Sequence, residues 1–350
     1  MTIDSASLLD DIARAGNVDA LCTLTLAVPR LLATLVDEGQ PAGSIGDQIS
    51  VVGEAITRRL LELAEQQLGP PPVAYAFVVA GSLARREQNA GSDQDNALVL
   101  ADDYRPTDHE AYFRRLGQFV CTHLEDCGYT LCPGDIMASN DKWRMTWSQW
   151  QSHFRRWVDE PDPKALLELC IFFDLRHQHG DPTLVDRLRS DFLERTRASP
   201  LFLAHLAAAA QNFRPALGWF GRLQFEHDSD GQRRIDLKKQ GITPVVDIAR
   251  THALARGIDL LSTVERLQAL TGLSDINDGE IAELIQAFES ISMLRLNHQA
   301  RRIRCGARPD YRVIDDELSR RDRKTLKRSF MVVAAAQQAL LRRFQAEAFR

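Results

Sequence analysis

Residues 81–95 read Gly-Ser-Leu-Ala-Arg-Arg-Glu-Gln-Asn-Ala-Gly-Ser-Asp-Gln-Asp, and this stretch decides the fold. The apolar run Tyr75-Ala-Phe-Val-Val-Ala80 leads into it and the apolar run Ala97-Leu-Val-Leu100 follows it. A strand, a tight turn at Gly81-Ser82 and a second strand over 93–100 are therefore expected. Side chains alternate along a strand, so Asp93 and Asp95 would share one face, with Cα atoms roughly 6.5 Å apart. Two carboxylates at that spacing suit a pair of Mg²⁺ ions about 3.5–4 Å apart. The Gly81-Ser82 turn, where a strand ends and a helix begins, offers backbone N–H groups to an anionic phosphate. Together these features imply the chemistry of nucleotidyl transfer.

Each candidate also has a plainer reading. Asp93 and Asp95 are the expected metal ligands and catalytic carboxylates, or else an Asp-rich loop that caps the next element. Gly81 would allow close backbone approach to phosphate, Ser82 would donate its hydroxyl, and Ser92 joins them as a nucleotide contact. The plainer alternative is a simple tight turn. Arg85, one turn along, pairs with phosphate oxygens or else forms a salt bridge to Glu87 or to the sheet.

The spacing of Gly81-Ser82, ten intervening residues and Asp93-Gln-Asp95 resembles the nucleotidyltransferase signature of the DNA polymerase β superfamily. The longer string Gly-Ser-x-Ala-Arg-x-Glu-Gln-x-x-x-Ser-Asp-Gln-Asp-Asn is most similar to one branch, the DUF294 family, related to the catalytic domain of PII-protein uridylyltransferases. Cys132-Pro-Gly-Asp-Ile-Met-Ala-Ser-Asn140 with Trp143-Arg144, Phe172-Phe-Asp-Leu-Arg176 with Gly180-Asp181, Asp236-Leu-Lys-Lys-Gln-Gly241 and Arg295-Leu-Asn-His-Gln299 extend the resemblance along the chain. It implies an α+β fold: a polymerase-β-like domain with a small mixed sheet, flanked by N-terminal and C-terminal helical domains. The implied reaction is Mg²⁺-dependent transfer of a nucleoside monophosphate from an NTP to a hydroxyl, with a two-ion site and release of pyrophosphate. A tyrosine on a PII-type regulatory protein is the acceptor that kinship suggests, which would make the role one of signal transduction.

Sites of this kind add a third acid from a later strand. Here Cys132 stands where an uridylyltransferase would carry glutamate, so Asp135, in the loop beyond, is the first candidate and Asp174 the second. A non-catalytic nucleotide sensor or scaffold that retains the fold is the competing reading, and a small-molecule nucleotidyltransferase is a third.

Gly69-Pro-Pro-Pro72 breaks a helical pattern and marks a boundary, dividing the chain into 1–69, 70–190 and 191–350. Short apolar runs at 73–80, 94–100, about 128–132 and about 169–175 read as strands, with a helix over roughly 108–126. Helical periodicity returns after Asp181, with a stripe of Phe330, Val333, Ala336, Leu340, Leu341 and Phe344 in the last helix, while 226–234 reads as an exposed turn.

A net charge of −5 argues against general nucleic-acid binding. No apolar run approaches the ~20 residues needed to cross a bilayer, and six cysteines without a Cys-x-x-Cys pair read as free thiols, so the expected location is cytoplasmic. Lys238 and Lys239 would meet the triphosphate or an acidic acceptor, or else form a solvated pair. Trp143 is a base-stacking candidate or a core residue. Between 301 and 328, eleven cations face five acids, which steers an anionic partner or forms the solvated side of two helices.

Overall fold

Tyr75–Val79 is buried at all five positions and forms β1, the strand around which the first sheet is built. Burial on both faces, with no polar alternation, marks a central strand covered on either side. β3 (Asn96–Leu100) pairs antiparallel with it, from Val79 opposite Asn96 to Tyr75 opposite Leu100. β6 (Arg176–Gly180) pairs antiparallel along its other edge, and β5 (Arg144–Thr146) runs parallel to β3. The order β5-β3-β1-β6 is the small mixed sheet, and the chain is α+β. A computed structural model describes residues 5–162, 166, 170–218, 221–273 and 276–349.

Two strand expectations are corrected. The run 93–100 breaks at Asp95: β2 (Asp93–Gln94) pairs parallel with β4 (Thr130–Leu131), and only β3 joins the main sheet. The amides of Gln94 and Asn96 cause the change of partner. Gln94 Nε2 donates to Cys121 O (2.9 Å) and Tyr129 O (3.2 Å), and Asn96 Oδ1 accepts from Ala138 N (2.8 Å). The run near 169–175 is no strand where it is described. Cys170–Phe173 is a 3-10 turn and the strand starts at Arg176, while residue 169 lies outside the described residues. Phe172 packs on Trp143 and Trp150, and Phe173 on Phe154 and Phe192. Two successive rings buried in one aromatic core cannot be served by a strand, whose side chains alternate.

The chain divides into two compact units, 1–40 with 44–157 and 168–192, and 41–43 with 158–167 and 193–350. The N-terminal helices Ser5–Arg14, Val18–Thr25 and Val28–Asp37 thus belong with the sheet. The stretch Val18–Asp37 is, against the sequence expectation, long and apolar enough to cross a membrane. It divides into two helices at Leu26-Ala27, and Leu21, Leu31, Leu32 and Leu35 are buried in the core. Helix Ala42–Leu68 brings Gly46 and Gly53, two turns apart, close to the loop at 86–88. A Cβ on Gly46 would sit 3.3 Å from Arg86 O, and one on Gly53 only 2.5 Å from Gln88 Oε1.

The second unit is mainly helical. Helices Thr243–Arg256, Asp278–Arg304 and Arg320–Arg343 bury Val245, Ile291, Phe330 and Val333 in a common core. Ser319 and Asp322 close a reciprocal cap on the last of these. A three-stranded sheet of β7 (Glu226–His227), β8 (Arg233–Asp236) and β9 (Arg312–Ile314) is an addition to the sequence reading. Strands of two to four mostly polar residues carry too little periodicity to be read in advance.

Candidate active site

The first unit brings the glycine-serine turn against the acidic doublet. Ala80 N donates to Asp95 O at 2.9 Å, extending the pairing of β1 with β3 by one step. Gly81 then turns the chain with φ +60°, and a Cβ there would meet Asp95 Oδ2 at 2.9 Å and Ile171 at 3.2 Å. Glycine is favoured on both counts, since a side chain is strained in the left-handed region and the close approach leaves it little room. A short helix, Gly81–Ala84, starts at this point. The amides of Gln94 and Asn96 run into the protein, while Asp95 Oδ2 lies beside Gly81. Asp95 is buried, whereas Asp93 and Ser82 are half-buried.

The polar residues between turn and doublet are stitched to their surroundings. Arg85 donates to Glu87 Oε2 and to Asp174 Oδ2, each at 2.7 Å, so its charge is matched by two carboxylates. Asp174 is fully buried and meets Arg85 across 89 residues of chain. Arg176 donates to Ala84 O (2.7 Å), and Asp181 accepts from Thr183 N (2.9 Å) in a turn. Arg86, at φ +57°, grips Glu54 through two bonds of 3.0 and 3.1 Å. The Glu54 hydrogen bond outweighs burial and lifts the Arg86 guanidinium above its ordinary pKa. Ser92 is buried and its hydroxyl bonds Asn89 N (3.2 Å) and Asn89 O (3.1 Å), closing the loop ahead of Asp93. Glu54 and Ser50, whose hydroxyl accepts from Gln88 N at 3.0 Å, escaped the sequence reading, and Asp174, expected as a candidate third acid, is instead the partner of Arg85. The one local signal was the pair Gly46 and Gly53 on one face of a helix, which marks a close approach.

Cys132, at the position of the expected third acid, lies against Asp95. Burial first, and the neighbouring Asp95 carboxylate second, push its thiol up to about 12. Asp135 adopts φ +54° and its Oδ2 accepts from Asn140 Nδ2 at 2.7 Å, while its carbonyl accepts from Trp143 Nε1 at 2.9 Å. Asp135 therefore closes its own loop and Asp174 holds Arg85. Among the described residues no group of three or more His, Cys, Asp or Glu side chains is arranged to hold a metal ion. The two carboxylates of Asp93 and Asp95 fit a hard divalent cation, which takes oxygen donors, and the protonated thiol of Cys132 does not add to that set.

The remaining candidates have partners of their own. Trp143 is a core residue, stacked on Trp150 with ring centroids 6.1 Å apart. Trp147 is half-buried beneath the Arg187 guanidinium at 4.3 Å. Lys238 belongs to the second unit, where its ammonium stands 5.1 Å over the Tyr311 ring, and Lys239 N donates to Asp236 Oδ1 at 2.9 Å. His298 is fully buried between Glu317 and Asp310, 2.8 Å from each, a hydrogen-bonded cluster that ties the flanks of β9 to the Asp278–Arg304 helix.

Two family models match the chain. The one described as "Putative nucleotidyltransferase DUF294" covers residues 27–164, and "Putative nucleotidyltransferase substrate binding domain" covers residues 200–344. No curated protein matches it.

Proposed function

The chain belongs to the DUF294 nucleotidyltransferase family, and from that premise we propose that it moves a nucleoside monophosphate from an NTP to a hydroxyl, using Mg²⁺ held by Asp93 and Asp95. The observation that carries this reading is the close approach of Gly81 to Asp95, which sets the Gly81-Ser82 turn directly beside a carboxylate. Bound at the doublet, Mg²⁺ would neutralise triphosphate charge and stabilise the charge that develops as pyrophosphate leaves. The half-buried Ser82 hydroxyl is available to donate to a phosphate oxygen. Arg85 serves the site by fixing the loop through Glu87 and Asp174. Cys132, held as a thiol, is not a base for the acceptor hydroxyl at neutral pH.

A protein of PII type is the acceptor we propose, on the kinship of the DUF294 family with the PII-protein uridylyltransferases. A second reading, a nucleotide sensor without transferase activity, is favoured by one observation: a thiol stands at Asp95 where a third carboxylate was expected. Incubation with each α-labelled NTP, Mg²⁺ and cell lysate, using wild type and Asp93→Ala/Asp95→Ala, separates these. Label on a protein in the wild-type reaction alone supports transfer. Equal labelling by both chains, or none with any nucleotide, removes the transferase reading, and label on a small molecule replaces the protein acceptor.

A further inference from the structure

A cavity of about 570 Å³ opens within the second unit, between helices Pro200–Ala209, Thr243–Arg256 and the end of Arg320–Arg343. Its size is that of a small-molecule site. One wall is apolar, built from Leu201, Leu203, Phe344 and Phe349, and the other carries His252, Arg256 and Arg343. Leu201 and Phe349 are 50% and 39% exposed, unusual for large apolar side chains, and both border this one opening.

His252 is the informative member. It is 7% exposed and lines the cavity, yet no hydrogen bond reaches its ring among the described residues; its ring contact is Phe344 at 5.4 Å. With no hydrogen-bond partner among the described residues and a place in the cavity wall, the ring can take its hydrogen bond from a molecule bound there. Arg256 and Arg343 each occupy the last turn of a helix, where a cation also offsets the carbonyl end. That account covers the arginines and leaves the imidazole between them unexplained.

We propose that this cavity binds a small organic anion with an apolar body, its acidic group lodged among His252, Arg256 and Arg343. Burial first, then Arg343 and Arg256, hold the imidazole down at about 4, so it is neutral at pH 7 and donates a single N–H. A carboxylate or phosphate accepts that bond and pairs with the guanidinium groups, while the chain or ring attached to it covers the apolar wall. The charge, and not apolar burial alone, selects the ligand.

The test uses the full chain with octanoate and octyl phosphate as probes, and octanol, octylammonium and inorganic phosphate as controls. Calorimetric titration and the His252 ring proton in NMR are the readouts. We expect one or both amphipathic anions to saturate, with octanol at least tenfold weaker and inorganic phosphate weaker than octyl phosphate. The tighter of the two anions identifies the acidic group. Arg256→Gln and Arg343→Gln each weaken binding about tenfold, the effect of one charge-assisted bond, in chains that circular dichroism shows still folded at the titration temperature. Bound anion raises the His252 pKa. Octanol binding as well as octanoate, both glutamine variants binding like wild type, inorganic phosphate matching octyl phosphate, or no anion binding at all would each overturn the proposal.

Discussion

Gly81→Ala perturbs the point on which the site turns. At φ +60° an alanine costs about 1–2 kcal/mol in backbone strain. Its Cβ would also stand 2.9 Å from Asp95 Oδ2, so the buried carboxylate must move off its preferred rotamer by a few tenths of an ångström. That adds on the order of 0.5–1.5 kcal/mol. Gly39→Ala is the matched control, because Gly39 has φ +69° and nothing within 4 Å of the added Cβ. It carries the strain without the collision. Urea unfolding of the two variants should therefore place Gly81→Ala below Gly39→Ala by the collision term, roughly 1 kcal/mol, or about 2–4 °C in Tm. Because the displaced atom is a proposed metal ligand, Gly81→Ala should also lose roughly tenfold or more in nucleotidyl transfer, while Gly39→Ala keeps wild-type activity. Equal stability and equal activity in the two variants would refute the reasoning, since Asp95 would then not lie against the turn.

Asp174→Asn removes the charge of the fully buried partner of Arg85; the expected loss is about 3 kcal/mol by chemical unfolding, and a loss under about 1 kcal/mol would contradict the ion pair. Gln337→Leu in the second unit strips a buried amide from Ala210 O (2.7 Å) and Phe213 O (2.8 Å). Two carbonyls then lose their donor, for about 1–3 kcal/mol, and unchanged stability would show that water replaces it. His252 has a folded pKa depressed to about 4 from 6.5. Its contribution to stability is therefore complete above pH 6.5 and is lost as pH falls through 4, up to about 3 kcal/mol. His252→Gln should flatten the stability profile between pH 6.5 and 5, where carboxylates contribute little, and an unaltered slope would place the imidazole in water.

The reach of the sequence follows from the range of the forces involved. The turn and the doublet were legible as neighbours because an apolar strand precedes one and follows the other, and pairing Val79 with Asn96 brings them together. The last helix was legible because Phe330, Val333, Leu340 and Leu341 recur at helical intervals and are buried. The break at Asp95 was not, because its cause is the bonding of Gln94 and Asn96 to residues 121–138. Arg85 offered Glu87 as a partner within two residues, but Asp174 completes the pair from 89 residues away. The opposition of Cys132 to Asp95 was visible only as a missing glutamate, and the strands of the second unit were too short and polar to register.

The central claim is that Asp93 and Asp95 hold a divalent cation beneath a triphosphate bound at the Gly81-Ser82 turn. Calorimetric binding of a non-hydrolysable NTP, measured with Mg²⁺ and again with chelator, addresses it most directly. Wild type should bind at least tenfold tighter with Mg²⁺, a gain of about 1.4 kcal/mol or more, and Asp93→Asn/Asp95→Asn should lose that gain. Affinity independent of Mg²⁺ in wild type, or the same Mg²⁺ gain in the double variant, would contradict the account.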